Sequence, residues 1–140
     1  MTREDVPIVL LVSDNQDHIL ALSGILEEAG YRARAAGDGE EAISLLTQQP
    51  FDLIITDLRM PRMGGLDLLR NIRTMNPKLA VVVVTAHGEW TTYLNAMNIG
   101  AVDYLTKPVR GEDILITIRK ALTRRGIHAP NVPPTGSEES

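Results

Sequence analysis

The chain has 140 residues, a net charge of -4 and no cysteine. That length carries one domain with a real core, the negative charge disfavours non-specific binding to nucleic acid or anionic membranes, and the missing thiols exclude disulfides and thiolate metal sites. Hydrophobic residues make up 44% and charged residues 23%, an ordinary globular balance. No apolar run approaches the roughly 20 residues of a membrane-spanning helix, and the opening MTREDVP is too polar for a signal peptide.

The first element is the uninterrupted apolar run IVLLV at 8–12, which breaks sharply into Ser13, Asp14, Asn15, Gln16 and Asp17. A continuous run of this kind marks a parallel strand buried on both faces. Ile19, Leu22, Leu26 and Ala29 then step at helical spacing, and Gly30 supplies the stop. A weaker strand is expected at 31–36, and a helix at 40–48 carrying Ala42, Leu45 and Leu46 before Pro50. FDLIIT at 51–56 is the next buried strand. Leu66, Leu69 and Ile72 mark a helix closed by Asn76-Pro77, and LAVVVVT at 79–85 is another buried strand. A helix at 91–99 ends at Gly100, a weak strand covers 101–106, and Ile114, Leu115, Ile118, Ala121 and Leu122 mark the last helix. Strand and helix alternate five times, which predicts an α/β domain with a parallel sheet over 5–125. After Arg125 the periodicity stops, and 126–140, with three prolines, reads as a disordered tail or linker.

Ligands of open α/β sheets bind outside the carboxyl ends of the strands. The residues there are Ser13 and Asp14 after the first strand, Asp57 after the third, Thr85 at the end of the fourth and Lys107 after the fifth. Two neighbouring carboxylates repel unless a cation intervenes, and oxygen donors with water suit Mg²⁺. An aspartate beside Mg²⁺ can attack phosphorus and become an aspartyl phosphate, with lysine and hydroxyl groups stabilising the phosphoryl oxygens. Taken singly, Asp14 and Thr85 read as helix caps and Lys107 as a solvated charge. Asp57 resists that reading because it ends an apolar strand and is followed by LRMPRMGG.

The segments VLLVSDN, FDLIITDLRMPRMGGLDLL, VVVVTAHGE and AMNIGAVDYLTKPV together resemble the receiver domain of two-component response regulators, of which the chemotaxis type is the simplest. The resemblance covers about 5–125. It implies one doubly wound domain with strand order 2-1-3-4-5 and helices on both faces. It matches Asp57 to the phosphoacceptor and Asp14 to a direct Mg²⁺ ligand, with the backbone carbonyl of Arg59 as the other protein ligand. Thr85 matches the hydroxyl that binds the phosphoryl group, Ala86 the small residue beside it, and Lys107 the lysine that pairs with its oxygens. The Lys107-Pro108 bond is expected to be cis. Tyr104 matches the aromatic that moves with Thr85. The resemblance further implies a cytoplasmic switch that modifies only itself. Its partners would be a sensor histidine kinase or phosphotransfer protein and, through the fourth helix, fifth strand and fifth helix, an effector. A homodimer on activation is also implied, without contact to nucleic acid by this domain. The spacing around GEWTTYLNAMNIGAVDYLTKP looks like that of receivers attached to transcriptional activators.

Three positions depart from the family pattern. Ser13 stands where an acid is usual, which removes one anion and leaves an outer partner of the metal. Gly64 stands where aspartate is frequent, so that with Gly65 the loop is expected to be unusually free. Tyr93 occupies a helix position that is often alanine. Trp90 and Leu94 are candidates for the output face or, at i, i+4 spacing, for the core. Arg59 and His87, each two residues beyond a central residue, are candidates for tuning the lifetime of the modification. The weakened metal site also admits a receiver-like interaction domain that is never phosphorylated. A true aspartyl-phosphate phosphatase would want a second aspartate where Arg59 stands, and a flavin carrier would want a Ser/Thr/Gly loop in place of SDNQD.

Overall fold

The computed structural model describes residues 6–86 and 88–127. Strands and helices alternate as β1 (Ile8–Val12), α1 (Gln16–Glu28), β2 (Arg32–Ala36), α2 (Gly39–Gln48), β3 (Leu53–Thr56), α3 (Gly65–Met75), β4 (Ala80–Thr85), α4 (Trp90–Ile99), β5 (Asp103–Thr106) and α5 (Gly111–Arg124). The strands form one parallel sheet in the order β2-β1-β3-β4-β5, as the resemblance implied.

Alternation along the central strands sorts the core into two layers. Leu10, Val12, Ile54, Val81 and Val83 pack with Ala42 and Leu45 of α2, Leu68, Leu69 and Ile72 of α3, and Ala96 of α4. Val9, Leu11, Leu53, Ile55, Val82 and Val84 face the other way, onto Ile19, Leu22 and Leu26 of α1 and Ile114, Ile118 and Leu122 of α5. Every residue of β3 and β4 is buried, which is why these strands read as unbroken apolar runs. The edge strands differ: β2 is largely exposed and β5 half-buried.

Several boundaries fall inside the expected ones. β3 begins at Leu53 because Asp52 turns its carboxylate back to accept the Ile8 N–H at 2.8 Å. β5 begins at Asp103, whose carboxylate accepts the N–H of Tyr104 at 2.8 Å. α1 is capped by Asn15 and α2 by Asp38, while Gly30 and Gly100 follow α1 and α4 with positive φ. Beyond α5, Ile127 packs against the α1–α5 layer and its N–H donates to the Leu122 carbonyl. The rest of the expected tail, residues 128–140, lies outside the described residues, as does His87.

The glycine pair is not a free loop. A Cβ on Gly65 would lie 2.3 Å from the Asp57 carbonyl oxygen, so the start of α3 packs directly on the backbone of the Asp57 turn. Gly64, at φ -77, caps α3 in a conformation open to any residue. The pair therefore serves close approach rather than mobility.

Candidate functional site

The sheet register brings the sequence-predicted residues to one edge. Val12 pairs with Thr56, and the Asp57 N–H donates to the Val12 carbonyl at 2.9 Å. Ser13 and Asp57 thus leave neighbouring strands side by side, with Asp14 one residue further along. Thr85 pairs with Thr106, and the Lys107 N–H donates to the Thr85 carbonyl at 2.8 Å. The Lys107-Pro108 bond is cis.

Asp57 is nearly closed off from solvent. Its Oδ1 accepts the N–H of Leu58 at 2.7 Å, and its Oδ2 accepts from Lys107 Nζ at 3.0 Å. The two side chains are 11% and 24% exposed, so a buried carboxylate faces a partly buried cation. Asp14, by contrast, is exposed, as is Arg59 on the loop after Asp57. Among the described residues no three His, Cys, Asp or Glu side chains group to enclose a metal. The donors available at this edge, the Asp14 and Asp57 carboxylates and the backbone carbonyls after Asp57, are all oxygens, the donor type that fits a hard cation such as Mg²⁺.

Ser13 is buried, with its Oγ accepting the N–H of Asn15 at 3.1 Å, so the hydroxyl shapes the turn that presents Asp14. Thr85 is fully buried. Alternation places it on the same sheet face as Val81 and Val83, and Tyr104, opposite Val83, packs against that layer. Tyr104 meets Tyr93 edge-on at 5.5 Å, and Tyr93 stacks on Trp90 at 5.3 Å. Burial, reinforced by Glu89, raises the Tyr104 phenol above its ordinary value. Trp90 and Leu94 are exposed, which rules out the core alternative for them.

Sequence reasoning missed the tether behind the Asp57 loop. Arg62 has a positive φ of 64, unusual for a residue with a side chain. Its guanidinium pairs with Asp38 and, at 3.3 Å, with Glu40, while the Gly39 N–H donates to the Met63 carbonyl at 3.2 Å. Asp38 is held below its ordinary value first by the N–H of Glu41 and also by Arg62. The loop after β3 is thereby fastened to the start of α2. Acid at position 38 and base at position 62 carry no periodicity that would have paired them.

A doubly wound sheet that gathers carboxylates, a hydroxyl and a lysine at its carboxyl edge defines a phosphoryl-transfer class of signalling domain. The response regulator receiver domain family model matches residues 9–119, and the chain belongs to that family. It is similar to the transcriptional regulatory protein ZraR of Klebsiella oxytoca, 34% identical over 96% of this chain and 30% of the relative. It is 38% identical to the alginate biosynthesis transcriptional regulatory protein AlgB of Pseudomonas aeruginosa, over 91% of this chain and 28% of that one. The chain thus spans under a third of the length of these curated relatives. Among solved structures, a receiver domain protein from Clostridium thermocellum superposes with a TM-score of 0.82 at 32% identity, covering 86% of this chain and 98% of the other. NtrX from Brucella abortus gives a TM-score of 0.82 at 28% identity, over 86% of this chain and 28% of that one. The chain is a receiver domain of a two-component response regulator, a phosphorylation switch, and receiver domains generally bind Mg²⁺ at the phosphorylation site. No helix among the described residues is long and apolar enough to cross a membrane.

Proposed function

We propose that Asp57 is the phosphoacceptor and that the chain is the receiver part of a cytoplasmic transcriptional regulator. The observation that carries the assignment is the buried Asp57 carboxylate held at 3.0 Å by Lys107 at the carboxyl edge of the sheet. A carboxylate oxygen of Asp57 attacks the phosphorus of a phosphohistidine on a sensor kinase or phosphotransfer protein. The phosphorus–nitrogen bond breaks, and its electron pair leaves with the donor imidazole. Asp14, Asp57 and the Arg59 carbonyl would hold Mg²⁺, which neutralises charge on the phosphoryl oxygens. Lys107 leaves the Asp57 carboxylate for a phosphoryl oxygen, and the Thr85 hydroxyl takes another. Ser13 holds the Asp14 turn through its bond from the Asn15 N–H, and its hydroxyl would serve as an outer partner of the metal's water shell.

Movement of Thr85 reaches Tyr104, which packs on the same sheet face, and through the ring contacts of Tyr104 with Tyr93 and of Tyr93 with Trp90 passes to the surface. The face built by α4, β5 and α5 is then the surface for an effector or a second copy of the chain. Arg59, exposed beside the site, governs water access to the aspartyl phosphate, with His87 as its counterpart after Thr85. The chain modifies and unmodifies itself and turns over no external substrate. Acetyl phosphate with Mg²⁺ should add one phosphoryl group by intact mass, and labelling of Asp57→Asn equal to wild type would overturn the assignment.

A further inference from the structure

The loop that carries Asp57 and Arg59 is fastened at both ends, and strain sits beside one of the anchors. At the near end, Leu58 donates its N–H to Asp57 Oδ1 at 2.7 Å, and its carbonyl accepts the Gly65 N–H at 2.9 Å. At the far end, the Met63 carbonyl accepts the Gly39 N–H at 3.2 Å, and a Cβ on Gly39 would lie 2.8 Å from the Met63 side chain. Between these anchors Arg59, Met60 and Pro61 make no backbone-to-backbone hydrogen bond among the described residues. The path of that span is therefore set by where its ends are held. Arg62, next to the far anchor, has a φ of 64, which residues with a side chain adopt reluctantly. Strain of this kind persists only where the surroundings over-determine it. Here the surroundings are the buried Asp38 carboxylate and Glu40, both paired with the Arg62 guanidinium. The same stretch also reaches the Asp14 turn, because the Ala36 carbonyl accepts the Ser13 N–H at 3.1 Å. Residues 36–40 thus hold the Asp14 turn with one end and the Arg59 loop with the other.

We propose that Arg62 and Asp38 are positioning residues of the metal site: their ion pair holds the Arg59 span at a fixed place relative to the Asp14 turn and so raises the affinity for Mg²⁺. The inference rests on Asp14 and the Arg59 carbonyl being metal ligands. Both residues act through the backbone, and neither is a ligand. A carbonyl on an untied span must be ordered when the ion binds, and that ordering opposes binding. The tether orders it beforehand. The direction of the effect separates the tether from simple charge. Arg62 is a cation on the same loop as the Arg59 carbonyl, so its charge alone repels Mg²⁺. Removing Arg62 would tighten binding if charge were its only effect, and weakens binding if the tether governs.

The test is a Mg²⁺ titration of the resting protein followed by amide shifts. Arg62→Met removes the cation and should weaken Mg²⁺ binding about tenfold, the low end of what outer partners of a metal contribute. Arg62→Gly loses both pairs but relieves the backbone, so it keeps the fold and should weaken Mg²⁺ to a similar extent. Arg62→Lys keeps the cation and should recover most of the affinity. Adding Asp38→Asn, which retains a capping oxygen, to Arg62→Met should cost no more than about twofold further, because the two residues act as one pair. Equal or tighter binding in Arg62→Met and Arg62→Gly would overturn the inference alone. So would losses in Asp38→Asn and Arg62→Met that add in full in the double variant. A wild type whose amides at residues 58–60 do not move with Mg²⁺ would instead remove the reading of Arg59 as a ligand, and this inference with it.

Discussion

Lys107 Nζ donates to Asp57 Oδ2 at 3.0 Å, joining residues 50 positions apart in the chain. The contact balances the most enclosed carboxylate of the site with its only direct cation among the described residues. Removing the cation leaves a nearly buried charge uncompensated. Lys107→Met is expected to lower stability by about 1–3 kcal/mol, and adding Asp57→Asn should restore most of the loss. Urea unfolding of wild type, single and double variants checks this. A double variant no more stable than Lys107→Met would mean that the pair contributes through packing instead.

Ser13 predicts two separable effects. Ser13→Asp returns an anion beside Asp14 and should tighten Mg²⁺ about tenfold or more, with faster phosphorylation at sub-saturating metal. Ser13→Ala should leave metal affinity nearly unchanged. It should nevertheless lower stability by about 1 kcal/mol, because the Oγ no longer accepts the Asn15 N–H. A Mg²⁺ titration followed by amide shifts, with urea unfolding alongside, separates the two. If Ser13→Asp binds Mg²⁺ no better than wild type, the side chain does not reach the metal's water shell.

The stacked and edge-on contacts of Tyr93 join exposed Trp90 to Tyr104. Beryllofluoride with Mg²⁺ should shift Trp90 emission in the wild type, and Trp90 is the only tryptophan to report it. In Tyr93→Ala the emission response should fall by at least half while the amide of Thr85 still shifts. An undiminished Trp90 response would show that the signal bypasses Tyr93.

The Arg62 tether has a backbone side and a charge side. Arg62→Ala keeps the left-handed residue and loses both ion pairs, whereas Arg62→Gly loses the pairs but relieves the backbone. The glycine variant should therefore be the more stable by about 1 kcal/mol. Asp38 titrates lower when folded than its ordinary 3.8. Its contribution is fully present above that value and fades as pH falls through the lower folded value. Asp38→Asn, which keeps a capping oxygen, should flatten the acid limb of the stability profile below about pH 4. An unchanged acid limb would place the sensitivity elsewhere.

The central strands were legible because burial on both faces leaves an apolar run with nothing else to mean. The site was legible because each polar break after such a run lands on the same edge of a parallel sheet. The edge strands β2 and β5 were faint because one flank of each is open, so Arg32 and Asp103 stand where a central strand would carry Val or Ile. Arg62 with Asp38 and Tyr93 with Tyr104 were not legible, since pairs formed between loops or between a helix and an edge strand follow no period.

The helices are held unevenly, and the unevenness has a direction. α5 buries Ile114, Thr117, Ile118, Ala121 and Leu122, and α3 buries Leu68, Leu69 and Ile72, whereas α4 fully buries only Ala96 and adds the partly buried Met97 and Ile99. Each large aliphatic side chain is worth about 1.5–3 kcal/mol of burial, and one methyl group about 0.8 kcal/mol. Displacing α5 or α3 would therefore take more work than a single new bond at the sheet edge supplies. Displacing α4 would take less. Of these three helices α4 is the one held by the least fully buried side-chain surface, and it lies over the same sheet face as Thr85.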